Sequence, residues 1–179
     1  MDHRMEEIFS YAKTNFTDTI HKQVYPAIDP TNPKLSQAGK TILITGGGDN
    51  LGLAIAQAFV TAAAKAVIIT GRRVDVLESA QAQLEQVAKR QGSPTSIIAR
   101  AVDITDDAQV KTFWDDMRNS EVTVDVMVSN AAKPPQPKPI LEDIDDIWSQ
   151  VETNARAPLY MAKHLYNQES ETKKVGREA

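Results

Sequence analysis

The residues Thr45-Gly46-Gly47-Gly48-Asp49-Asn50-Leu51-Gly52 have the composition of a turn that binds phosphate. Glycine has no Cβ, so its backbone can approach a pyrophosphate, and the free N–H groups at the start of a following helix attract negative charge. An apolar run, Thr41-Ile42-Leu43-Ile44, precedes the turn, and an Ala-rich helical pattern from Leu53 to Ala64 follows it. Strand, glycine turn and helix in that order make a phosphate cradle. The spacing is T-G-x-x-x-[G]-x-G, with Asn50 in the middle glycine's place. A G-x-G-x-x-G motif would need glycine at 46, 48 and 51 or at 47, 49 and 52, and neither set is present. Asn is among the few non-glycine residues that tolerate positive φ, so the substitution is mild for the backbone.

Further along, Thr70-Gly71-Arg72-Arg73 closes an apolar run. A dinucleotide site that binds a free ribose 2′-hydroxyl wants a carboxylate here, and Gly71 occupies the place instead. A guanidinium fork fits a phosphate bidentately. Cations are disfavoured at a helix N-terminus, so two in succession invite an anion, the alternative being a solvated helix start. Asp103 follows a third apolar run, and either it or Thr105 could cap the helix that begins near 106. Asn154 continues the helical series Ile144, Ile147, Trp148, Val151, which places a polar amide on a face expected to be buried. An unpaired buried amide costs about 1–3 kcal/mol, so Asn154 should have partners.

From about Lys40 to the C-terminus these motifs resemble the short-chain dehydrogenase/reductase family. The resemblance implies a site for a nicotinamide dinucleotide, with Thr45, Gly46, Gly48, Asn50, Leu51 and Gly52 as its phosphate turn. It implies that Arg72, with Arg73 second, holds a 2′-phosphate, so that NADP(H) is preferred over NAD(H). It places Asp103 at the adenine ring and Ile104 at the ring edge. Ser129-Asn130-Ala131-Ala132 resembles the family's N-N-A-G, with Asn130 and Ala131 retained and Ala132 standing for the glycine. Asn130 is there both a cofactor-site residue and a tie between strands. Val151-Glu152-Thr153-Asn154-Ala155-Arg156 resembles the segment whose Asn belongs to the catalytic tetrad and holds a water through its backbone carbonyl.

The family's reaction moves a hydride between NADP(H) and a carbonyl or alcohol of a small molecule. It uses a Tyr as acid or base, a Lys four residues later, and a Ser, all beyond the position of Asn154. This chain has no Tyr-x-x-x-Lys; Tyr160 and Lys163 come nearest and are one residue too close. The expectation is therefore the cofactor-binding half of an NADP-dependent oxidoreductase, inactive alone. The alternative is a catalytically inactive truncated product that binds a nucleotide or a partner. A fragment without a stable fold is a third reading. A methyltransferase is disfavoured because its acidic residue after the second strand is absent.

The elements that must position these groups alternate. Strands are expected at 41–45, 66–70, 96–102 and 124–129, and helices at about 51–64, 73–90, from about 106, and through 144–151. That order predicts an α/β fold, a Rossmann-type parallel sheet with helices on both faces and strand order 3-2-1-4, missing the family's later strands. Residues 1–39 read as a short helix bearing Met5, Ile8, Phe9 and Ala12, then a proline-rich extended arm. Residues 40–166 form the incomplete NAD(P)-binding domain, and the polar stretch 167–179 reads as a disordered tail. The proline-rich loop 133–139 is a candidate rim of the pocket. The open outer edge of the fourth strand invites a homo-oligomer or pairing with another chain.

Composition narrows the classes further. A net charge of −4 argues against a nucleic-acid-binding face. No apolar run approaches the ~20 residues that cross a membrane. The start, Met1-Asp2-His3-Arg4-Met5-Glu6-Glu7, does not read as a signal peptide, and the chain has no cysteine for disulfides or thiol chemistry. A cytoplasmic protein with no metal site is the expectation.

Overall fold

Four strands, β1 (Thr41–Thr45), β2 (Ala66–Gly71), β3 (Ser96–Ala101) and β4 (Val126–Val128), pair in parallel in the order β3-β2-β1-β4. The computed structural model describes residues 21–134, 139 and 142–175, so the expected helix on Met5, Ile8, Phe9 and Ala12 lies outside the described residues. Register runs from Thr41 opposite Ala66 to Thr45 opposite Thr70, and Ile42 to Ile44 face Val126 to Val128 on the other side. Among the described residues the α-helices are α1 (Asn50–Thr61), α2 (Val74–Gln91), α3 (Asp107–Asn119), α4 (Ile144–Val151) and α5 (Ala157–Val175).

The two-residue period of a strand divides the central apolar runs between two layers. Ile42, Ile44, Val67 and Ile69 pack with Ala56 and Val60 of α1 and with Leu77, Ala80 and Leu84 of α2. Leu43 and Ile68 point the other way, onto Val110, Phe113, Trp114 and Met117 of α3 and Ala157 and Met161 of α5. β1 and most of β2 are buried on both faces, which is why they read as unbroken apolar runs. Each such Ile or Leu contributes about 1.5–3 kcal/mol by leaving water.

Helix ends follow local chemistry. α2 stops at Gly92, whose φ of +62° suits glycine. α1 ends three residues before the expected 64, because Ala63 takes a left-handed φ of 58° while Ala64 N–H returns to Phe59 O. α3 is capped by Asp106, whose carboxylate accepts from Ala108 N–H and Gln109 N–H. Neither of the two expected caps does this. Asp103 accepts instead from Thr105 N–H and Oγ1–H, at 3.0 and 2.7 Å.

Three further expectations need correction. β4 is shorter than 124–129, and side chains enter the hydrogen bonding with β1 at both of its ends. Asp125 N–H donates to Thr41 O while its carboxylate accepts from Thr41 N–H, and Asn130 N–H turns to the Thr45 hydroxyl. The face of α4 expected to be buried is exposed: Ile144 is 61%, Trp148 68% and Val151 42% accessible, and Asn154 is exposed as well. Helical period puts residues on one stripe, but it does not say what covers the stripe. Lastly, α5 runs on to Val175, well past the loss of apolar period at 167. The Gln168 amide docks this part, donating to Val124 O and accepting from Val124 N–H at 3.1 Å.

Candidate functional site

The C-terminal ends of the strands open into a cleft of about 910 Å³, and the strand order reverses between β1, whose chain leaves toward β2, and β4 on its other side. An open parallel sheet leaves such a crevice where its strand order reverses. The glycine turn forms its floor. Gly46 has φ +65°, and a Cβ there would lie 3.0 Å from Ala131 Cα. A Cβ on Gly52 would sit 2.0 Å from Gly46 O and 2.8 Å from Asn130 Nδ2. Asn50 adopts the left-handed φ of 44° at the point where α1 begins. Gly47 serves the fold instead: it is buried, and a Cβ would meet Ile69 at 2.7 Å.

Asn130 clamps this turn to the end of β4. Its Nδ2 donates to Thr45 O at 3.0 Å and Gly46 O at 3.1 Å. Thr45 does not line the cleft; it is buried beneath it. Its hydroxyl accepts from the N–H groups of Asn130 and Ala131, both at 3.1 Å, and lies 3.5 Å from Val128 O. Thr45 and Asn130 thus hold two strand ends in register immediately under the cradle.

The remaining lip comes from the ends of β2 and β3. Arg72 and Arg73 follow Gly71 on one side, and Asp103 and Ile104 follow Val102 on the other. Arg72 is exposed and has no hydrogen-bond or ion-pair partner among the described residues. Arg73 is engaged, with Nη2 placed 2.5 Å from Asp49 Oδ2. Asp103 spends one carboxylate oxygen on Thr105, while its backbone N–H donates to Gln109 Oε1.

Asn154 lies in a single π turn, Glu152–Arg156, that joins α4 to α5. π turns widen a helix and recur at functional sites. The partners foreseen for its amide exist, although the amide is exposed rather than buried. Lys133 N–H donates to its Oδ1, and its Nδ2 donates to Lys133 O, each at 2.8 Å. Asn154 therefore pins the chain just past Ala132. Its own side chain is not on the cleft wall, where Ser149, Glu152 and Thr153 stand. Tyr160 is also off the cleft, its ring flanked by Arg156 and Lys163 at 5.7 Å each. Of the proline-rich loop, Lys133 and Pro134 reach the cleft, and 135–138 lie outside the described residues.

The wall also contains Thr70, Val76 and Leu77, which are not among the expected site residues. Lys133 of the expected rim loop is held there by Asp146 at 2.7 Å and Ser149 at 3.0 Å, partners that no sequence spacing marks. Asp49 had a local signal, a helix-capping residue type at the first turn of α1.

The donor set fits a dinucleotide. The cradle would be filled by a Cβ at Gly52, the start of α1 has no side-chain cap, and a guanidinium waits at the lip. The profile of short chain dehydrogenase matches residues 40–177. The chain belongs to this family. It is 37% identical over 129 residues to the short chain dehydrogenase/reductase dpchG of Colletotrichum higginsianum, covering 70% of this chain and 45% of that one. It is 33% identical to the short chain dehydrogenase pigC of Monascus ruber, covering 82% and 48%. Among solved structures, L-sorbose reductase from Gluconobacter frateurii, complexed with NADPH and L-sorbose, superposes with a TM-score of 0.64 at 27% identity, covering 73% and 48%. This short-chain dehydrogenase chain thus spans about half the length of the curated relatives it matches.

Proposed function

We propose that this chain forms the dinucleotide-binding part of an NADP(H)-dependent oxidoreductase acting on a carbonyl or alcohol of a small molecule. The free, exposed guanidinium of Arg72 at the end of β2, where Gly71 leaves no carboxylate, carries the choice of NADP(H) over NAD(H). The sorbose reductase relative was solved with NADPH, which supports the same choice.

In this assignment the N–H groups at the start of α1 and the glycine turn receive the pyrophosphate. Arg72 receives the 2′-phosphate. Asp103, through its second carboxylate oxygen, accepts from the adenine amino group beside Ile104. Ala131 and Ala132 keep the end of β4 low enough for the ribose, and Asn130 holds the turn beneath. The bound cofactor would supply or accept hydride. Asn154 acts by positioning: its amide fixes the Lys133 backbone and so shapes the wall.

Titration of the purified chain with NADPH and NADH, followed by quenching of tryptophan fluorescence or by calorimetry, tests the assignment. NADPH is expected to bind at least about tenfold more tightly, the equivalent of about 1.4 kcal/mol. Arg72→Gln is expected to erase that difference by weakening NADPH alone. Equal affinities in the unsubstituted chain would refute the preference.

A further inference from the structure

Asp is among the best residues for capping a helix start, and Asp49 has the extended backbone of a cap, with φ −149° and ψ 174°. Yet its carboxylate makes no cap hydrogen bond. It reaches across the mouth of the cleft to Arg73, itself the N-cap residue of α2 and likewise without a side-chain cap bond, and closes an ion pair at 2.5 Å. Both residues line the cleft. We propose that Asp49 is a selectivity residue for the dinucleotide, committing Arg73 to an ion pair and so leaving Arg72 as the guanidinium that meets a 2′-phosphate. This rests on the assignment of the cleft to NADP(H).

Three consequences follow from the one contact. The first-turn N–H groups of α1 stay open, because the carboxylate that could satisfy them is drawn away. The positive charge of Arg73 is largely cancelled before any ligand arrives. A fixed negative charge stands on the same lip as the 2′-phosphate, and the two repel. The first consequence favours any dinucleotide equally, whereas the other two act only against one carrying the extra phosphate. Asp49 therefore lowers the NADPH-to-NADH affinity ratio below what two arginines could reach.

The test measures dissociation constants for NADPH and NADH on the full chain and its variants, with thermal unfolding confirming that each is folded. Asp49→Asn keeps the size and the capping ability and removes the charge. It is expected to raise the affinity ratio about fivefold, and 0.5 M salt should shrink that gain because exposed charges are screened. Asp49→Ser, a second capping residue without charge, should act the same way. Adding Arg73→Gln to Asp49→Asn should return the ratio to its starting value. A ratio unchanged or lowered by both Asp49 substitutions, while Arg72→Gln still reduces it, would overturn the role of Asp49 and leave the NADP(H) assignment standing. An Asp49→Asn gain that depends on Arg73, together with no effect of Arg72→Gln, would overturn the assignment of the 2′-phosphate to Arg72 and leave only the charge pairing of Asp49 with Arg73.

Discussion

Replacing Gly52 by alanine adds one methyl group at the tightest point of the cradle. The new Cβ would stand 2.0 Å from Gly46 O and 2.8 Å from Asn130 Nδ2. Nonbonded carbon and oxygen need well over 3 Å, and the carbonyl cannot swing aside easily, since it also accepts from Asn130 at 3.1 Å. Overpacking of this kind costs about 1–3 kcal/mol, and backbone on the receiving side puts it at the upper end. Alanine would recover at most about 1 kcal/mol of helix propensity in α1. The expected net loss is about 2 kcal/mol, or about 4–8 °C in Tm for a domain of this size. Circular dichroism through a thermal ramp reads it directly. Gly71→Ala is the control: its nearest contact would be Leu77 Cδ2 at 3.6 Å, so Tm should move by no more than about 2 °C. Gly52→Ala should also abolish dinucleotide binding, because α1 and the turn must part to admit the methyl. A Gly52→Ala chain as stable as the parent, still binding NADPH, would refute the close-approach argument.

Thr45→Val removes the acceptor for the N–H groups of Asn130 and Ala131 while keeping the shape. It is expected to cost about 1–3 kcal/mol in urea unfolding, and Thr45→Ser should recover most of that. His164 on α5 stacks parallel to Trp114, 6.2 Å between centroids, and its Nε2 is buried without a hydrogen-bond partner among the described residues. Burial first, then the charge of Lys163, holds its imidazole below the ordinary value of 6.5. The folded chain then binds the proton less readily than the unfolded one. Stability is held above pH 6.5 and lost as pH falls from there through the lowered value. Tm measured from pH 8 to pH 5 should fall more steeply in the parent than in His164→Phe, which keeps the ring and cannot titrate.

Much of the architecture was legible before the structure, for a local reason. β1 and β2 stand out because strands covered on both faces must be apolar throughout, and α2 is bounded by Gly92, whose left-handed φ is written into its residue type. The glycine turn is legible because backbone conformation and steric room are properties of the residues themselves. α4 was misjudged for the converse reason. Ile144, Trp148 and Val151 share a stripe, yet burial depends on a covering element, which no periodicity specifies. The same limit applies to Gln168, a polar residue in a polar stretch, whose amide satisfies Val124 from 44 positions away.

By itself, then, the sequence determined the α/β order, the place of the cradle and the presence of two arginines beyond β2, because these follow from spacing and from the chemistry of single residues. Tertiary structure alone decided how those arginines differ. Arg72 and Arg73 are the same residue type one position apart, but one faces the cleft free while the other is held by Asp49, 24 positions earlier. It likewise decided that Thr45 supports Asn130 from below, and that Asn154 pins Lys133 rather than facing the cleft. An ion pair or a clamp depends on two side chains meeting in space, and the chain sets that meeting only when the sheet brings distant strand ends together.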